Sequence, residues 1–183
     1  GGVKCSDSAR SSLPCNITNI GGICPDGSIY AGISPDGNKR MYTTPVDAGL
    51  MTWNMGGAGA EDTPLATCNA GETTCITGAS NTAVLAGLAT AYAPYIAAQY
   101  CNSLTGFGKS DWYLPAMNEL LILYNNKVSI GGFVTHGGQP TGHYWSSSET
   151  TFGNAKRVNF ATGANINTNA YNAQQTRCVR KDN

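Results

Sequence analysis

"GKSDWYLPAMNELL", residues 108–121, decides how this chain is read. Gly106 and Gly108 turn the backbone, because glycine accepts conformations closed to other residues. Leu114 stands before Pro115 and is pushed toward extended geometry. Pro115 suits the first turn of a helix, where its missing N–H costs nothing. Met117, Leu120, Leu121 and Tyr124 then recur at i, i+3, i+4 and i+7, the spacing of one apolar helix stripe. The stretch predicts an extended approach followed by a short amphipathic helix that ends at Asn125-Asn126. Its side chains form no catalytic pattern. Asp111 is expected to accept backbone hydrogen bonds across the turn, and Trp112 to pack in the core.

Upstream, residues 81–104 predict a helix capped by Ser80 or Asn81. Val84, Leu85, Leu88 and Tyr92 fall at helical spacing, Pro94 breaks the run, and a second segment carries Tyr95, Ile96 and Tyr100 to Cys101. Downstream, residues 127–142 are a Gly-rich loop. "HYWSSSE" (143–149), "AKRVNFATG" (155–163) and "QTRCVRK" (175–181) predict three strands, with Trp145 as a core residue. Near the other end, Pro25-Asp26-Gly27 and Pro35-Asp36-Gly37 are turn triplets. They bracket "SIYAGIS" and precede "KRMYTT", a hairpin or meander. Residues 45–79 read as a long Gly-, Thr- and Ala-rich loop. Strands, loop, helices, loop, strands is the order of an α+β domain with an antiparallel sheet.

Composition narrows the setting. Of 183 residues, 41% are hydrophobic and only 12% charged, about half the usual charged share. Uncharged polar side chains cover the surface instead, as in many secreted and cell-surface proteins. The formal net charge is zero, which gives no sign of nucleic acid as a partner. Residues 1–75 hold four basic and seven acidic side chains, net −3, and residues 150–183 hold five basic and one acidic, net +4. That basic tail reads as a solvated strand face. No apolar run reaches the roughly 18 residues of a spanning helix. The chain reads as a mature or trimmed fragment.

The seven cysteines form no C-x-x-C, and only His136 and His143 could join them at a metal. Disulfides in an oxidising compartment fit better than zinc. Cys68 and Cys75, seven apart, suit a local bridge. The odd count leaves one thiol over, and the pairing of Cys5, Cys15 and Cys24 stays open. Asn16-Ile17-Thr18 fits a glycosylation sequon.

"GKSDWYLPAMNEL" (108–120), "YWSSSE" (144–149), "AKRVNFATG" (155–163) and "RCVR" (177–180) together resemble the C-terminal domain of Legionella collagen-like proteins. The resemblance runs from about Ala79 to Lys181. It implies a C-type-lectin-like fold, two helices packed on a small twisted antiparallel sheet, of a kind found at the tips of surface fibres, pili and phage tails, often on trimeric stalks. It implies a disulfide between Cys101 and Cys178. It makes Asp111, Trp112, Leu114, Pro115, Glu119 and Trp145 a fold signature. Where similar proteins start the helix with Thr, this chain has Ala116, so Glu119 is expected to lack its reciprocal partner in a capping box. The chain then divides into a β-rich extension with its long loop, residues 1–78, and a lectin-like domain, residues 79–183.

Catalytic readings lack support. Ser146, Ser147 or Ser148 with His143 or His136 would need an orienting Asp and has no G-x-S-x-G; the serines read as strand residues and the histidines as loop residues. Formylglycine-generating enzymes share the lectin-like fold class and use reactive cysteines, but the implied bridge makes Cys178 structural. A lectin-type calcium site would need carboxylates where "QPTG" (139–142) has Thr141 and "VNF" (158–160) has Phe160, leaving Glu149 alone. No enzyme activity, metal or cofactor is expected. What remains is a surface. Asn165, Asn167 and Asn169 alternate, so in an extended segment they share one side, continued by Tyr171. With Asn154, Asn172, Lys156 and Arg157 they form a candidate binding face for a glycan or cell-surface protein. The alternative is a structural subunit, a minor pilin or fibre component, in which the domain mediates assembly, as a trimer or along a fibre.

Overall fold

Two turn triplets and a short strand-forming run, Ile29-Tyr30-Ala31, build the first hairpin. Strand β1 (Ile29–Ser34) pairs antiparallel with β2 (Lys39–Thr43), and Gly37 and Asn38 supply the positive φ angles of the turn between them. The computed structural model describes residues 13–56, 63–69, 72–151 and 153–183. After the hairpin come β3 (Gly49–Thr52), a 3-10 turn (Thr73–Cys75), and four helices: α1 (Gly78–Gly87), α2 (Ile96–Ser103), α3 (Met117–Asn125) and the single-turn α4 (Lys127–Ile130). Five strands close the chain: β4 (His143–Glu149), β5 (Asn154–Asn159), β6 (Asn165–Asn169), β7 (Ala173–Thr176) and β8 (Val179–Lys181). The architecture is α+β.

The strands form two sheets, β1-β2-β8 and β3-β7-β4-β5-β6. All neighbours run antiparallel except β4 and β7, which meet in a parallel bridge at Tyr144 and Gln175. The predicted strand 175–181 is therefore two strands in two sheets. The break falls at Arg177 and Cys178, where the arginine turns inward and the cysteine bonds to Cys101. The predicted loop 45–79 contains β3, whose four residues pair with β7; a strand that short carries almost no periodic signal. The N-terminal strands are thus hydrogen-bonded to C-terminal ones, β2 to β8 and β3 to β7.

The helices also depart from expectation. The first ends at Gly87 rather than at Pro94, because glycine is a weak helix former and Thr90 then organises a turn by accepting from the Tyr92 and Ala93 N–H groups. The helix begins at Gly78, before the expected cap residues, and its Gly78 N–H is capped by Glu119 from α3. No side chain at the N-cap position takes part.

Two apolar clusters hold the layers together. One joins Trp53, Leu85, Tyr95, Trp112, Leu114 and Trp145 around the Cys101–Cys178 bridge. The other joins Met41, Tyr113, Leu120, Leu123, Tyr144, Val158 and Phe160. Trp145 donates its indole N–H to the Met51 carbonyl, and Trp112 to that of Gly106, so each buried ring is polar-satisfied as a buried Trp must be. Cys68 bonds to Cys75, and Cys15 to Cys24; Cys5 lies outside the described residues.

The basic tail is not a solvated face. Arg177 is fully buried and pairs with Asp47 at 3.0 Å. Arg180 meets Asp111 through two bonds of 2.7 and 3.1 Å, and Lys181 meets Asp36. Asp111 thus serves an arginine across the fold, not the amides of its own turn. Asp36 and Asp47 belong to the acidic N-terminal segment, so part of the charge asymmetry of the sequence is offset by pairing in space.

Glu119 is corrected in the same way. Its carboxylate is completely buried and accepts four hydrogen bonds: from the Ser34 and Tyr113 hydroxyls at 2.7 and 2.6 Å, and from the Gly78 and Ala116 N–H groups at 3.2 and 3.1 Å. The missing Thr at Ala116 is compensated by Ser148, whose hydroxyl accepts the Met117 N–H at 3.0 Å. Burial and the facing carboxylate push the Tyr113 hydroxyl far above its ordinary pKa, so it stays a donor.

Candidate ligand-binding face

Among the described residues β6 forms one edge of the five-stranded sheet and pairs only with β5. The register sets Asn169 opposite Asn154, Asn167 opposite Lys156 and Asn165 opposite Val158. Residues directly opposite in an antiparallel pair point to the same side. Asn154, Lys156, Asn165, Asn167 and Asn169 therefore share a face. That face is closed over Val158 by the second core cluster and open at Asn167 and Asn169, which are exposed.

Its side chains are partly ordered by one another. Lys156 Nζ donates to Asn165 Oδ1 at 3.3 Å, and Asn169 Nδ2 donates to the Tyr171 hydroxyl at 3.3 Å. Burial of its stem holds the Lys156 ammonium below its usual pKa. The amides of Asn154 and Asn167 have no partner among the described residues and are free to bond elsewhere. Asn172 donates its backbone N–H to Asn169 and closes the turn after β6.

Arg157 is not on this face. It pairs with Trp145 and Ile166, one residue out of phase with Lys156, so it points to the opposite side and is 6% exposed. Its Nε and Nη1 are buried with no hydrogen-bond partner, and no carboxylate lies within ion-pair distance among the described residues. His143 is not in a loop but opens β4 and is buried. Burial, and then the nearby Arg157 charge, hold its imidazole below the usual pKa. Its Nδ1 is also unpaired, as is Oε1 of the fully buried Gln174, whose amide nitrogen donates to Gln139. Strand alternation in 143–145 and 155–159 could have placed His143 and Arg157 on one face from sequence; nothing local marked Gln174.

The three serines are spent on structure. Ser146 donates to the Lys156 carbonyl, Ser147 accepts from Asn81, and Ser148 accepts from Met117. Cys178 is held in its disulfide and almost fully buried. Glu149 accepts from the amide and hydroxyl of Thr63. Among the described residues no three His, Cys, Asp or Glu side chains converge as metal ligands. A groove of about 710 Å³ lies elsewhere, between Leu13, Ile17, Ile23 and Pro25.

A model of the Lcl C-terminal domain matches residues 47–180. The chain belongs to the Lcl C-terminal domain family. The match begins ahead of β3 and includes every element through β7. No curated protein matches the chain as a relative.

Proposed function

We propose that this chain is a ligand-binding, adhesive domain at the end of an extracellular bacterial or phage fibre or pilus, with a C-type-lectin-like fold. It recognises a glycan or a surface protein through the β5–β6 face. The observation that carries the reading is the row Asn165, Asn167 and Asn169 beside Lys156 and Tyr171. Amides supply donors and acceptors together, tyrosine adds a rigid amphipathic contact, and both suit sugar hydroxyls or a protein epitope. Three disulfides fit an oxidising, extracellular setting. Among the described residues no helix is long and apolar enough to cross a membrane.

A glycan-array screen, with and without chelator, tests this. Binding that survives chelator and is lost in Asn167→Ala at unchanged melting temperature is the expected result. Binding abolished by chelator would overturn the metal-free reading. No binding at all would favour the second reading, a structural subunit, which draws on the unpartnered edge of β6.

A further inference from the structure

The free edge of β6 carries a symmetry of its own. Asn159 donates its N–H to the Ala164 carbonyl, and Ala170 donates to that of Gly153. These two pairs lie in the same β5–β6 register as Asn154 opposite Asn169. In an antiparallel ladder, pairs that exchange hydrogen bonds alternate with pairs that do not. Ile166 and Thr168 therefore turn their backbone groups toward β5, while Asn165, Asn167 and Asn169 turn theirs outward. Among the described residues only one of those outward groups has a partner, the Asn169 carbonyl, which accepts the Asn172 N–H.

The sequence Asn165-Ile166-Asn167-Thr168-Asn169 reads alike in both directions by residue class: amide, β-branched, amide, β-branched, amide. An antiparallel copy centred on Asn167 places Asn167 opposite itself, Asn165 opposite Asn169 and Ile166 opposite Thr168. The outward-facing residues are the ones this register requires to exchange hydrogen bonds. The edge also lacks the devices that block edge pairing: no charge, no proline and no register shift interrupts it. Lys156 sits one strand in from Asn167, so across the two-fold the two ammonium groups stand three strand spacings apart, about 14 Å. That exceeds the screening length of about 8 Å in physiological salt.

We propose that two copies of this chain pair through β6 about a two-fold axis at Asn167, joining their five-stranded sheets into one. The pairing is isologous and closes at two, which separates it from a trimeric stalk. It sets the two Asn/Lys faces side by side and does not depend on what those faces bind. A five-residue edge is a small contact beside the ~1,200 Å² of a stable complex, so the dimer is weak and reversible.

Sedimentation velocity of the full chain from about 10 μM to about 1 mM tests the pairing. A Cys5→Ser background keeps a thiol-linked dimer from being mistaken for it. The expected result is a concentration-dependent monomer–dimer equilibrium. Asn167→Pro removes an N–H that β5 does not use, which an edge strand tolerates, and weakens association at least tenfold. Asn167→Lys sets like charges directly opposite and does the same, which keeps the test valid if the proline variant misfolds. Asn167→Ala keeps the backbone donor and dimerises as before, even where it loses ligand. A wild type that stays monomeric throughout, a larger assembly, proline and lysine variants that associate normally, or an alanine variant as impaired as the proline one would each overturn the proposal.

Discussion

At the start of α3 the Glu119 carboxylate is buried and receives four hydrogen bonds; on β5 the Arg157 guanidinium is buried with two nitrogens unpaired and no acid beside it among the described residues. Both are charges removed from water, and removal alone costs several kcal/mol per ion. The four donors offset part of that cost for Glu119, whose carboxyl group burial still holds above its ordinary pKa, and they also tie β1, α1, α3 and the Tyr113 segment to one point. Nothing comparable offsets it for Arg157. A buried charge that gathers donors specifies how elements meet. One without partners weakens the fold.

Breaking the first site has the largest expected effect. Glu119→Ala strands four donors and costs about 3–5 kcal/mol in chemical denaturation; a loss below 1 kcal/mol would show that the hub does not hold the helices. Arg157→Met has the opposite sign. It removes a charge that lacks compensation and leaves stability equal or raised by about 1–3 kcal/mol, whereas a marked loss would mean the guanidinium has a partner after all. Tyr113→Phe removes one of Glu119's four donors and costs about 1.5–3 kcal/mol.

The smallest effect is pH-dependent. The folded state holds His143 below its ordinary pKa, so near and below pH 6.5 the unfolded chain binds the extra proton more readily. Stability from this residue is complete above the unfolded value of about 6.5 and is lost as pH falls from there through the folded pKa. Melting temperatures between pH 7.5 and 5 should decline more for the wild type than for His143→Gln. Equal declines would remove His143 as the cause.

Legibility in the sequence followed the range of the interaction. The strand at 143–149, the hairpin near residue 37 and the helix after Pro115 were readable because each is written in local periodicity or turn chemistry. The helix end at Gly87 was missed because Pro94 looked the stronger breaker, although the chain had already left the helix. β3 was missed because four residues become a strand only through pairing with β7. In the candidate face, the alternation of Asn165, Asn167 and Asn169 was visible. The phase that sends Lys156 to their side and Arg157 to the other needed the β5–β6 register.

By itself the sequence determined the α+β class, the sparse charge, the amide-rich segment and the apolar stripes, all consequences of composition and of spacing along the chain. Only the tertiary structure decided which acids neutralise the basic tail, what caps α1, and which atoms of Asn165, Asn167 and Asn169 face open solvent. Those outcomes depend on groups 41 to 145 residues apart meeting at hydrogen-bond distance, and no local pattern encodes a partner that far along the chain.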